Sequence, residues 1–399
     1  MNAASAAHPL LGNSAVLKRV NKVRVLSQLR QEGPASRAEL ARTTGLDAKT
    51  ITNLCNGLLA EKLLLHHAAI VSGRGRPAEQ LSLNPDAALA VGVDFGASQV
   101  TVVLMDLSGA VRLIDRREFD APKGRDFLLG RAMTSVEQLL ASLESGQRLA
   151  VRGIGVSVPG MLDRAGGVVR QSVNISGFRD VPIVEMFAAR LKAPVFLEEA
   201  SCSTALAEVW FAPRGLPKDF VCLDLGYGIG MGIIHEGRLY RGANELSGEV
   251  GHTVVQPEGD LCACGKRGCL ETVASGKALG EIALGLSPAK RGARGLYEAA
   301  RSGHPAARQA LARAGECIGI AAANIINLLD PGCVVLNGGL VRAGALLIDP
   351  LCEAARAHAI RRPGRECPVR VSSLGVQAGA MGAAILPLRS FFEIENIRL

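Results

Sequence analysis

Four apolar strands in this chain run directly into glycine turns: Ala90 to Asp94 into Gly96, Val151 to Val158 into Pro159-Gly160, Val221 to Asp224 into Gly226 and Gly228, and Val334 to Asn337 into Gly338-Gly339. A glycine at a strand end lets backbone N–H groups approach a ligand, and it also simply turns a chain, so one such loop says little. Two strand-turn units in separate halves say more. They predict a duplicated α/β fold with a cleft between two lobes, where small ligands bind. Val100 to Met105 reads as the hairpin mate of the first strand, and a long Ala-rich helix is expected from about Ala310 to Leu329. At 399 residues the chain exceeds one ordinary core, so a small module on a larger body fits its length.

The character of the sequence changes near Asn84-Pro85. Residues 1–85 hold eleven Lys/Arg against five Asp/Glu, so +6 of the formal +8 lies there, which points to a nucleic-acid-binding arm. Val23, Val25, Leu26 and Leu29 mark one helix, stopped by Gly33-Pro34. Ser36 with Glu39 three residues on forms a capping box for a second helix, and Thr44-Gly45-Leu46 makes a tight turn. Asp47 caps a third helix whose Ile51, Leu54 and Leu58 face inward. Lys49, Thr50, Thr52 and Asn53 then fall on its exposed early turns, where the second helix of a helix-turn-helix meets base edges in the major groove. Two short stretches follow, around His67 to Val71 and Gln80 to Leu83, joined by Ser72 to Pro77. They read as a β-hairpin wing with Arg74 and Arg76 at its tip for the minor groove.

Met1 to Leu11 carries no basic stretch ahead of an apolar one, and no run of eighteen apolar residues follows. A cytoplasmic protein without membrane contact is expected. Three of the ten cysteines crowd into Cys262, Cys264 and Cys269, with nine residues between His252 and the first of them, while the others are scattered through apolar sequence. One imidazole and three thiolates with no open position match a structural Zn²⁺ site, with Gly265 and Gly268 permitting the tight loop.

Gly251-His252, the Cys262 to Cys269 loop and Leu270-Glu271 together resemble the ROK family, whose name joins repressors, open reading frames and sugar kinases. The likeness continues in Gly153 to Asp163, in Asn174-Ile175-Ser176-Gly177-Phe178, in Gly248-Glu249 and in the Asp94 and Asp224 loops, and covers roughly residues 90 to 388. With the helix-turn-helix in front, the chain is similar to the branch of that family that includes the xylose and N-acetylglucosamine repressors. The resemblance implies a winged helix-turn-helix at 1–85 and a two-lobed, actin-like ATPase fold at 86–399. It implies a sugar held between the lobes by Asn174, Glu199, Glu249, His252 and Glu271, with His252 sharing its ring between metal and sugar. Acceptor carboxylates and an amide at a glycine-lined cleft suit a neutral polyol.

Departures from the family's kinase pattern carry the functional expectation. In its sugar-phosphorylating members the strand after the equivalent of Pro194-Val195 ends in Glu-Asn-Asp-Ala-Asn, whose Asp is the general base. Here the segment is Glu198-Glu199-Ala200-Ser201-Cys202, and the flanks Pro194-Val195 and Ala207-Glu208 put Ala200 on that Asp without a gap. A methyl group accepts no proton. A one-residue slip would bring Glu199 there instead, and Glu199 in place of an amide also suits an amino or cationic ligand group. On the nucleotide side Ser98 and Tyr227 stand where Thr is common, and Asn337 replaces a glycine. The expectation is a transcriptional regulator without enzymatic activity, acting as a homodimer or dimer of dimers on double-stranded operator DNA under a sugar-type effector. The alternative is an ATP-dependent sugar kinase with an attached DNA-binding module.

Overall fold

The computed structural model describes residues 14–67, 79–119, 122–211, 216–286, 292–360, 364 and 366–393. Three helices open the chain, Ser14–Glu32, Arg37–Thr44 and Ala48–Ala60. The expected caps are in place. Ser36 Oγ accepts from Glu39 N while Ser36 N donates to Glu39 Oε2 at 2.7 Å, and Gly45 ends the second helix at φ 72°. Asp47 accepts from Thr50 N at 2.8 Å, and Ile51, Leu54 and Leu58 are buried. The strands Ala35–Ser36, Gln80–Leu83 and Leu64–His67 form a three-stranded antiparallel sheet with Gln80–Leu83 in the middle. Its outer wing strand starts earlier than expected, at Leu64. Lys62 takes a left-handed φ of 57° just after the third helix, and Asn84 Nδ2 donates to the Lys62 carbonyl, so pairing begins at once. Arg74 and Arg76 lie outside the described residues.

The body holds two five-stranded sheets of one design. In the first, Leu89–Gly96, Gln99–Asp106 and Val111–Glu118 form an antiparallel meander. Val151–Val158 and then Val195–Glu199 add in parallel beside Leu89–Gly96. In the second, Phe220–Leu225, Ile229–His235 and Arg238–Tyr240 form the meander, with Val334–Asn337 and Val369–Val371 added in parallel. This common order bears out the duplication read from the strand-glycine units. The inner parallel strands, Val151–Val158 and Val334–Asn337, are mostly apolar and buried, as strands covered on both faces must be. The Ala-rich helix spans Pro305–Leu329 and packs on Ala345–His358, with Gly315 and Gly319 against the backbone of Leu347 and Leu351.

The last helix, Ala378–Phe392, is buried along nearly its whole length and ties the layers together. A Cβ added to Gly92 or Gly155 would fall 1.9 or 1.8 Å from the carbonyls of Ala380 or Ala383, and one added to Gly382 would fall 1.7 Å from that of Ser203. The helix therefore touches the first sheet on one side and the helix Ala200–Phe211 on the other, backbone to backbone. Its far end enters the apolar core of the N-terminal module: Leu26, Leu29, Leu40 and Leu81 share one buried cluster with Leu388 and Phe392. A methyl group at residue 382 has nowhere to go except by separating two helices, so Gly382→Ala should lower stability by about 1–3 kcal/mol in denaturant titration.

Candidate ligand cleft and metal centre

The two meanders turn at Gly96 and at Gly226-Tyr227-Gly228, and both turns open into one cleft of about 1770 Å³ between the sheets. Ordinary small-molecule pockets run from about 300 to 1,000 Å³, so the cleft has room for more than a single monosaccharide. All five sequence-predicted ligand residues, Asn174, Glu199, Glu249, His252 and Glu271, line it, as do Asp94, Asp224, Ala200 and Tyr227. Glu271 Oε2 accepts from Ile229 N at 3.0 Å, and both Glu271 and Asn174 close on Gly228, where an added Cβ would sit 2.6 Å and 2.4 Å from their polar atoms. Gly228 thus leaves the space in which an amide from one side and a carboxylate from the other converge.

Carboxyl groups crowd this cleft under poor hydration. Burial pushes Asp94 up to about 6 against the opposing hydrogen bond from Ser157, and pushes Asp224 up to about 6 with Asp94 adding repulsion. Burial pushes Glu199 up to about 8, opposed by a backbone hydrogen bond from Cys202 and reinforced by Glu249, Asp224 and Glu198. Glu199 is committed in a way its sequence position did not reveal. Its Oε2 accepts from Ser201 N at 2.8 Å and Cys202 N at 3.0 Å, which caps the N-terminus of the helix Ala200–Phe211. Behind it the buried Glu198 meets Arg164 and Arg241. Tyr227, Ser98, Arg116 and Arg342 also line the cleft. Asn337, read from the sequence as a loop change, is a buried hub: its side chain donates towards Ser372 Oγ at 3.3 Å and Glu208 Oε1 at 3.5 Å.

His252, Cys262, Cys264 and Cys269 converge at the cleft wall, with one ligand atom from each lying within 4.8 Å of all the others. Cys262 Sγ is 3.5 Å from His252 Nδ1, and Cys264 Sγ is 3.7 Å from Cys269 Sγ. Thiolates at about 2.3 Å and imidazole at about 2.0 Å from one tetrahedral ion would stand about 3.5–3.8 Å apart, so this donor set fits a metal ion. Burial and the neighbouring thiols push Cys269 up to about 12 when no cation is present to favour its thiolate. The loop is built for closeness: Cys262 N donates to Lys266 O at 2.7 Å, and Gly268, at φ 70°, leaves no room for a Cβ against Gln256 O. With Nδ1 turned to the sulfurs, His252 Nε2 faces Glu249 Oε2 at 3.9 Å, on the cleft side.

On the third helix of the N-terminal module, Lys49, Thr52 and Asn53 are exposed. Thr50 is half-buried, and its hydroxyl donates to Asp47 Oδ2 at 2.6 Å. Thr52 Oγ1 donates back to Ala48 O at 2.8 Å. Exposed Asn56 continues the same face one turn on, where Arg37 reaches it at 3.3 Å; polar spacing along the helix was the signal that would have found it.

A xylose repressor from Caldicellulosiruptor bescii is 27% identical over 387 residues, covering 93% of this chain and 96% of its own. A glucokinase from Thermotoga maritima is 32% identical over 308 residues, covering 74% of this chain and 95% of its own. Among solved structures, a ROK family transcriptional regulator described as a homologue of the E. coli MLC protein aligns with a TM-score of 0.76 at 25% identity, covering 94% of this chain and 97% of its own. Residues 90–390 match the ROK family itself. That span takes in both sheets, the cleft between them and the Cys-rich loop at its wall, and the chain belongs to the ROK family.

Proposed function

We propose that this chain is a DNA-binding transcriptional repressor whose ROK body binds a sugar or sugar derivative as effector and does not phosphorylate it. The observation that carries the reading is an intact helix-turn-helix joined to a sugar-kinase cleft in which residue 200 is alanine. The relatives support it: the xylose repressor aligns along nearly the whole chain, whereas the glucokinase aligns over about the share that residues 90–390 make up. The kinase alternative needs Glu199 as base, yet one oxygen of its carboxyl group already accepts two backbone N–H groups, which ties the side chain to the start of its own helix. Purified protein incubated with ATP, magnesium and a panel of aldoses, N-acetylhexosamines and their phosphates should form no phosphorylated product above a protein-free blank; turnover would establish the kinase reading.

Asn174, Glu199, Glu249, His252 and Glu271 hold the effector, their acceptors meeting its hydroxyls. The metal is Zn²⁺, which three thiolates and an imidazole select, and when bound it supplies the charge that keeps the thiols ionised and the loop closed. His252 Nδ1 faces the metal, and Nε2 is left to the ligand with its direction fixed. Metal analysis should find about one zinc per chain, and Cys262→Ser should lose both the metal and sugar-induced thermal stabilisation. A metal-free protein that keeps its ligand response would refute the assignment.

Lys49, Thr52 and Asn53 enter the major groove, Thr50 acts beside them through its bond to Asp47, and Arg74 and Arg76 take the minor groove. One module offers few base contacts, so a homodimer or dimer of dimers on a near-palindrome is required. Asn53→Ala should narrow the gap between specific and non-specific affinity by about 1–3 kcal/mol per half-site in competition binding. Arg74→Ala with Arg76→Ala should weaken binding and lower its salt dependence. Equal loss on specific and random DNA for Asn53→Ala would remove it from base readout.

A further inference from the structure

The helix Ala200–Phe211 has one end in the cleft and the other on the DNA-binding module. At its start Glu199 caps Ser201 N and Cys202 N from the cleft wall. At its end the carbonyl of Trp210 accepts from Nη1 of Arg30, on the first helix of the module, at 3.0 Å. The Arg30 guanidinium also lies 4.3 Å from the centre of the Trp210 ring and 5.5 Å from that of Phe392, and these two rings meet edge to face at 5.1 Å. Ser27 Oγ reaches the Phe392 carbonyl at 3.5 Å. Arg30 is held there at a cost: burial pushes it down to about 10, partly offset by Glu393.

Little slack lies between the two ends. Eight residues of the helix, Ser201 to Glu208, are buried. Gly382 brings the last helix onto Ser203 from one side, and Gly230 and Gly232 bring the second sheet onto Ser201 and Ala205 from the other, at separations an added Cβ would violate. A close-packed rod passes displacement on instead of absorbing it, and twelve residues carry it about 18 Å. A ligand hydroxyl or ammonium that bonds Glu199 competes with Ser201 N and Cys202 N for the same carboxyl group.

We propose that this doubly capped helix is the link through which the DNA-binding module senses occupancy of the cleft, with Glu199 as the input and Arg30 as the positioning residue at the output. The proposal rests on the reading of the cleft as an effector site, but the link is a property of the chain itself and is testable without any sugar. Trp210 is the chain's single tryptophan, so tryptophan emission reports the output end alone.

The experiment compares full-length wild type, Glu199→Ala, Arg30→Met and Lys277→Gln by emission spectrum and by hydrogen exchange resolved to peptides. Lys277 also lines the cleft but belongs to another helix, and serves as the control. Glu199→Ala should shift Trp210 emission and raise exchange in the helix Ser14–Glu32 by about fivefold or more, the low end of ordinary coupling between sites. Arg30→Met should raise exchange at Ser201 and Cys202 by a similar factor, because coupling is reciprocal; this arm decides if Glu199→Ala does not fold. Lys277→Gln should leave both ends at wild-type values. Wild-type exchange at the far end of either folded variant would overturn the proposal, as would equal effects from Lys277→Gln. Failure of every sugar to bind would overturn the effector reading and leave these outcomes untouched.

Discussion

Contact between backbones, with no side chains between them, is the constraint on which this structure turns. Gly92, Gly155 and Gly382 let the helix Ala378–Phe392 lie within van der Waals reach of a strand pair on one side and of the cleft helix on the other. Surfaces in such contact have no soft layer to absorb a shift. The same helix ends among the apolar side chains of the N-terminal module, so the module is packed onto the body and shares its core. A cleft, a helix leading from it and the N-terminal module proposed to bind DNA are thereby set in one continuous packing arrangement.

The chemistry of the cleft follows from what burial does to charge. Asp94, Asp224 and Glu199 are all pushed up by desolvation, because ionising any of them in a poorly hydrated cleft beside the others is unfavourable. At neutral pH a carboxyl held near 8 is mostly protonated and offers both a donor and an acceptor. That is what an amide offers at the same place in the family's sugar-phosphorylating members. Glutamate at 199 is therefore compatible with hydroxyl recognition. Alanine at 200 offers no proton acceptor beside it, and on this ground the proposed function gives the cleft binding without phosphorylation.

Much of this was legible from the residues. The Ser36–Glu39 capping box, the Asp47 cap and the Gly45 turn fix the helix-turn-helix locally, within a few residues each, so sequence spacing suffices to read them. The strand-glycine units gave the duplicated sheets, and four soft or borderline donors at short spacing gave the His-Cys cluster. The start of the wing strand was misread because it depends on Lys62 adopting a left-handed conformation, which no local signal announces. The role of Glu199 as a helix cap and the inward turn of Asn337 were missed for a related reason. Each depends on where a side chain points among elements far apart in sequence, as Asn337 does towards Glu208 and Ser372. The stacking of Arg30 on Trp210, 180 residues away, had no sequence signature at all.

In the proposed function one molecule couples a sugar in the cleft to DNA at the module without altering the sugar. Footprinting of the full-length protein on its own upstream DNA, with and without each sugar of the panel, measures this most directly. The expected result is a two-fold symmetric protected site whose occupancy changes with at least one sugar, and recovery of that sugar unchanged. An unsymmetric footprint, or a symmetric one indifferent to every sugar that stabilises the fold, would contradict it.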